Sequence, residues 1–161
     1  MRIIRICTAA VARFFISAIF LASAVKTILN WHETEKNLIA SMCDWQSYVS
    51  FSDPAQDCFT FLTPWSPLLL VVATLLMLIG GLSVLLGVKE KWGAFLLILF
   101  LIPDTVLNHA FWFFESSDRE MQTILFLKNL AILGCLLLMI LHGGQAKSGS
   151  GGKASFPPFK V

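Results

Sequence analysis

Lys26, Asp104, Asn108, His109, Lys128 and Asn129 stand within stretches of this chain that are mostly apolar. Asp104 and Asn108 are four residues apart and share one face of a helix, as do Thr105 and His109. A carboxylate, an imidazole, ammonium groups and carboxamides gathered at one level could hold a quinone head group or a small anion, or pass a proton. An ionisable group inside a membrane costs at least about 2.5 kcal/mol at a helix centre, so it needs a partner or a task. The same residues could equally serve packing alone, with Asp104 held by Lys128 or Lys26 as a buried ion pair. Lys26 taken singly reads as a snorkelling side chain. His109 taken singly reads as a hydrogen-bonded packing residue, because no second histidine or cysteine stands at ligand spacing and no metal is expected. Phosphate loops, nucleophile elbows and basic stripes are absent from the sequence, which argues against nucleic acid and against a self-contained enzyme; no catalytic residue is assigned.

The elements that must position these groups are helices crossing a lipid bilayer. The 161 residues are 57% hydrophobic and 14% charged, against roughly a quarter charged in soluble domains. A core this small cannot hold that much apolar surface, so lipid must solvate it. A spanning helix needs about 20 mostly apolar residues, because hydrocarbon offers backbone amides no partner. Spans are expected at about 6–30, 66–88, 92–114 and 121–141, giving an all-α, four-helix integral membrane bundle. The first also resembles a cleavable signal peptide, with Arg2 and Arg5 before Phe14 to Leu21 and then Ala22-Ser23-Ala24.

The spans set the depths of the polar groups. Lys26 falls about one turn below the exit of the first helix, and Asn108 and His109 about 8 Å below the end of the third. Asp104 lies deeper on that helix. Lys128 and Asn129 fall about 11 Å inside the fourth. Three helices therefore carry polar groups into the same half of the bilayer. Pro103 frees the carbonyl one turn earlier, at Leu99.

Positive charge orients the bundle. Arg2, Arg5, Lys89, Lys91, Lys147, Lys153 and Lys160 share one side, while Lys36 and Arg119 lie on the other. Positive loops stay inside, so both termini are expected in the cytoplasm. Trp31, Trp65, Trp92 and Trp112 stand near the span ends, where indole prefers the interface. In the external loop 31–65, Leu38, Met42, Trp45 and Val49 recur at helical spacing. This predicts an amphipathic helix, lying on the outer surface or packed across the bundle mouth. Cys43 and Cys58 in that loop could close a disulfide in an oxidising compartment, or stay unpaired. Cys7 and Cys135 read as small apolar residues. The Gly/Ser-rich segment 143–161 is expected to be a disordered cytoplasmic tail.

The segment Arg13-Phe14-Phe15 through Ile19-Phe20-Leu21 to Lys26, then Gly80-Gly81 and Leu86-Gly87, resembles the DoxX family of small bacterial membrane proteins. His109-Ala110-Phe111-Trp112 and Phe126-Leu127-Lys128-Asn129 carry most of its specificity. The resemblance implies a retained first helix, a four-helix bundle and a place in the bacterial inner membrane. It further implies a redox-associated role, since the family takes its name from a membrane subunit associated with thiosulfate:quinone oxidoreductase, and some relatives are linked with superoxide and thiol stress. Arg13, Lys26, His109, Lys128 and Asn129 match the family pattern. Ser23-Ala24-Val25 stands where a glycine is common before the first-helix lysine, and Met77 stands where an acidic residue is common; if that carboxylate serves the family's chemistry, either Asp104 replaces it or this member has lost the activity. The expected partners are the lipid bilayer and a redox protein or a second copy of the chain, with quinone as a non-covalent cofactor. Small-solute or lipid handling, and a non-catalytic scaffold, are the competing readings.

Overall fold

The computed structural model describes residues 2–49, 53–114 and 116–142, and the expected tail 143–161 lies outside them. The described residues are helical, with no strand among them: α1 (Arg2–Leu29), α2 (Trp31–Tyr48), α3 (Asp53–Leu62), α4 (Ser66–Leu86), α5 (Glu90–Asn108) and α6 (Ser116–His142). Short 3₁₀ turns at Thr63–Trp65 and Phe111–Phe113 precede α4 and follow α5. Four segments are long and apolar enough to cross a membrane: Cys7–Leu29, Gln56–Leu86, Glu90–Phe113 and Asp118–Leu141. Four is the number read from the sequence, and the second apolar segment reaches back to Gln56, into the stretch expected to be external loop.

Each spanning helix buries a narrow stripe. On α1 it is Ser17, Phe20 and Ala24, and on α4 it runs through Leu70, Thr74, Met77, Gly80, Gly81 and Val84. Gly93, Ala94, Leu97 and Leu101 form the stripe of α5. The three- and four-residue spacing places each set on one face. α4 packs against α1 and α5, and α6 against α5. Small residues set the closest crossings, as expected where lipid supplies no hydrophobic drive between helices. A Cβ on Gly93 would lie 3.0 Å from the Gly80 carbonyl oxygen, and one on Gly80 would lie 3.1 Å from that of Gly93.

The turn between α4 and α5 is built from two left-handed residues, Gly87 (φ 64°) and Lys89 (φ 51°). Val88 N–H returns to the Ser83 carbonyl at 3.1 Å and closes the end of α4. Glu90 opens α5, where a carboxylate faces the positive end of the helix dipole.

At the opposite end of the bundle, α2 packs against α4 and α5 with Met42 buried, so the loop helix lies across the bundle mouth and not simply on the membrane surface. Leu38, Met42, Trp45 and Val49 are all buried or half-buried. The third span departs from expectation. Its regular helix stops at Asn108, and His109 is the capping residue with φ −121°. The chain then turns through Phe111–Phe113, whose rings pack on Trp45 and Phe126. That ring packing satisfies side chains that a continuous helix would have pointed elsewhere.

Candidate functional site

The end of α5 collects most of the polar groups singled out above. Asn108 Nδ2 donates to Asp104 Oδ1 at 2.9 Å, and the Ser41 hydroxyl of α2 lies 3.2 Å from Asn108 Oδ1 as its donor. This chain ties the mouth helix to α5. Around the helix, Asn129 Nδ2 of α6 donates to Thr105 Oγ1 at 3.0 Å, and Thr105 donates to the Leu101 carbonyl at 2.6 Å. His109 Nδ1 lies 2.9 Å from Gln122 Oε1, joining the capped end of α5 to the first turns of α6. Trp45 Nε1 donates to the Val106 carbonyl at 3.2 Å. Every bond here crosses between elements or stays within one turn of α5.

Asp104, Asn108, His109 and Asn129 therefore form one layer around α5, but as two arms on different faces. Asp104 and Asn108 face α2, while Thr105 and Asn129 face α6. Lys128 lies within electrostatic range of Asp104, as does His109. Neither the Asp104–Lys128 nor the Asp104–Lys26 ion pair forms among the described residues. Both lysines are exposed on the bundle surface, and the structure does not bring Lys26 to the other five. Lys128 is adjacent in sequence to the buried Asn129, so about 100° of helix rotation turns it outward.

Cys43 and Cys58 are free, exposed thiols. α2 meets α3 through Gln46 Nε2 donating to Thr60 Oγ1 at 2.9 Å, and through stacked Trp45 and Phe59. Cys58 is two residues before Thr60, about 200° around α3, and so faces away from α2. Cys7 and Cys135 are also exposed, toward the region the spans assign to lipid.

Aromatic rings roof the polar layer. Trp45 lies 5.1 Å from Phe113, 5.7 Å from Trp112 and 6.1 Å from Tyr48 between ring centroids. Phe111 continues the cluster to Phe126 at 5.4 Å. Below this roof a small cavity of about 170 Å³ lies between α5 and α6, lined by Leu101, Ile102, Val106, Phe126 and Leu133 with Thr105 and Asn129 as its polar groups.

Several partners were not marked by the sequence. Ser41 and Gln122 are ordinary polar residues until α2 and α6 close on α5. Arg13 Nη2 lies 2.8 Å from Glu90 Oε2, with the two side chains 24% and 11% exposed. Its Nη1 would lie 3.1 Å from a Cβ on Gly87, so the guanidinium packs directly on the left-handed turn. Met77, at the position where an acid would have been expected, is a core residue between α1 and α5.

Residues 8–110 match the DoxX family model, which covers α1 through the capped end of α5. The chain belongs to the DoxX family. With four spanning helices, this DoxX protein is a multi-pass membrane protein. The match takes in Arg13, Lys26, Asp104, Asn108 and His109, and stops before Lys128 and Asn129 on α6. No curated protein and no solved structure matches the chain significantly.

Proposed function

We propose that this DoxX protein is a redox-associated subunit of the bacterial inner membrane, with both termini cytoplasmic, that receives a quinone head group between α5 and α6. The observation that carries this reading is Asn129. It is 5% exposed, lies inside a membrane span and, with Thr105, supplies the polar groups on the wall of a mostly apolar cavity. A carboxamide nitrogen has two N–H donors, and the bond to Thr105 uses one. The other suits a quinone carbonyl, which only accepts. The cavity is smaller than the roughly 300–1,000 Å³ of a pocket that encloses a whole drug-sized molecule. It suits a single ring whose isoprenoid tail stays in lipid. Asp104, with His109 and Lys128 within its electrostatic range, stands outside the lining of that cavity.

The test is titration of the purified chain in nanodiscs with a short-tailed quinone analogue. Saturable binding is expected, weakened about tenfold by Asn129→Leu, the equivalent of one lost hydrogen bond. Absence of saturable binding overturns the reading. A second reading, a scaffold for a membrane complex, draws on the Ser41–Asn108–Asp104 chain, which joins α2 to α5. On that reading Asn108→Ala lowers thermal stability and quinone has no effect.

A further inference from the structure

The outer face carries a second, separate hollow. Asp44 and Ser47 of α2, Tyr48, and Phe113 and Phe114 after α5 line an open cleft of about 400 Å³. Its walls are aromatic: Tyr48 and Phe113 lie 5.0 Å apart between ring centroids, and Trp45 backs Phe113. Among the described residues Asp44 is the only charged one lining it, and no basic side chain does so. The charges around this end of the bundle point the same way. Glu33, Glu35, Asp57, Asp118 and Glu120 outnumber Lys36 and Arg119 there, so cations are concentrated and anions repelled.

A carboxylate beside aromatic rings recognises an organic cation. The ring faces attract the charge through their quadrupoles, and the carboxylate neutralises it. A hard metal ion is a poor fit, because it requires several oxygen ligands and the walls supply one carboxylate and two hydroxyls. We propose that the Asp44–Tyr48–Phe113 cleft is a binding site for an ammonium group, carried by a free organic cation or by the head group of an amine-bearing lipid. The site stands apart from the α5–α6 cavity and does not depend on the quinone reading.

The experiment uses the full chain in nanodiscs of phosphatidylglycerol, which has no ammonium group, titrated with choline and with its neutral isostere 3,3-dimethylbutan-1-ol. Binding is followed by calorimetry and by the emission of the neighbouring Trp45 and Trp112. Choline binds saturably and the isostere does not. Asp44→Asn, an exposed change that leaves the packing intact, weakens choline about fivefold, while Asp118→Asn leaves it unchanged. Nanodiscs containing phosphatidylcholine compete with choline if the lipid head group is the occupant, and leave its affinity unchanged if a free solute is. No saturable binding, equal binding of the isostere, or an Asp44→Asn variant that binds normally would overturn the proposal.

Discussion

Gly93→Ala places one methyl group at the tightest helix crossing in the protein. The added Cβ would lie 2.7 Å from Ser83 Cβ, 3.0 Å from the Gly80 carbonyl oxygen and 3.1 Å from Val84 Cγ2. Two of those neighbours cannot swing aside, since one is backbone and another is the first atom of its side chain. The helices must separate by a few tenths of an ångström, loosening Leu97 and Val84 in the core. Overpacking of this kind costs about 1–3 kcal/mol. Alanine regains about 1 kcal/mol of helix propensity over glycine, so the net loss is about 0–2 kcal/mol. Gly134→Ala on α6 is the internal control, because a Cβ there meets nothing within 4 Å. It should stabilise by up to about 1 kcal/mol. The two variants are compared by circular dichroism during denaturation in mixed detergent micelles. A Gly93→Ala protein as stable as Gly134→Ala would refute the close α4–α5 approach. The Gly80→Ala/Gly93→Ala double variant should lose less than the sum of the single changes, since both press on one crossing.

Three further outcomes can be checked with the same material. Arg13→Ala strands Glu90 at the start of α5 and should cost about 2–3 kcal/mol, part of which Arg13→Met with Glu90→Gln recovers; a double-mutant cycle measures the coupling. Trp45→Leu removes the stacked Phe59 contact, three edge contacts and the bond to Val106. It should raise protease sensitivity within residues 31–65 while the four spans stay helical. With both termini cytoplasmic, a membrane-impermeant maleimide applied outside intact cells labels Cys43 and Cys58, whose thiols are exposed. Labelling only after lysis would reverse the orientation.

Residue type and spacing alone were enough to locate the four spans, the mouth helix and the level of the polar residues. Each depends on a local property: an apolar run of sufficient length, a three-to-four repeat from Leu38 to Val49, or a count of residues from a span end at fixed rise. Direction around each helix was not legible. α6 is apolar on nearly every side, so its sequence does not say that Asn129 faces α5 while Lys128 and Gly134 face outward. That choice is made by the fit of α6 against Thr105 and Phe111, which meet its Asn129 and Phe126. The same holds for Asp104, whose sequence invites a lysine partner and whose folded neighbour is the carboxamide of Asn108 one turn away.

Only the tertiary structure brings Arg13 to Glu90, across a long sequence separation, through a turn whose left-handed Gly87 leaves room for the guanidinium. It alone ends α5 at Asn108 and turns the chain so that the rings of Phe111, Trp112 and Phe113 pack against Trp45 and Phe126. Sequence determines how far into the bilayer each polar group sits, since rise per residue is a property of the helix itself. Which group each one meets is a property of neighbouring helices, and those neighbours are chosen by packing.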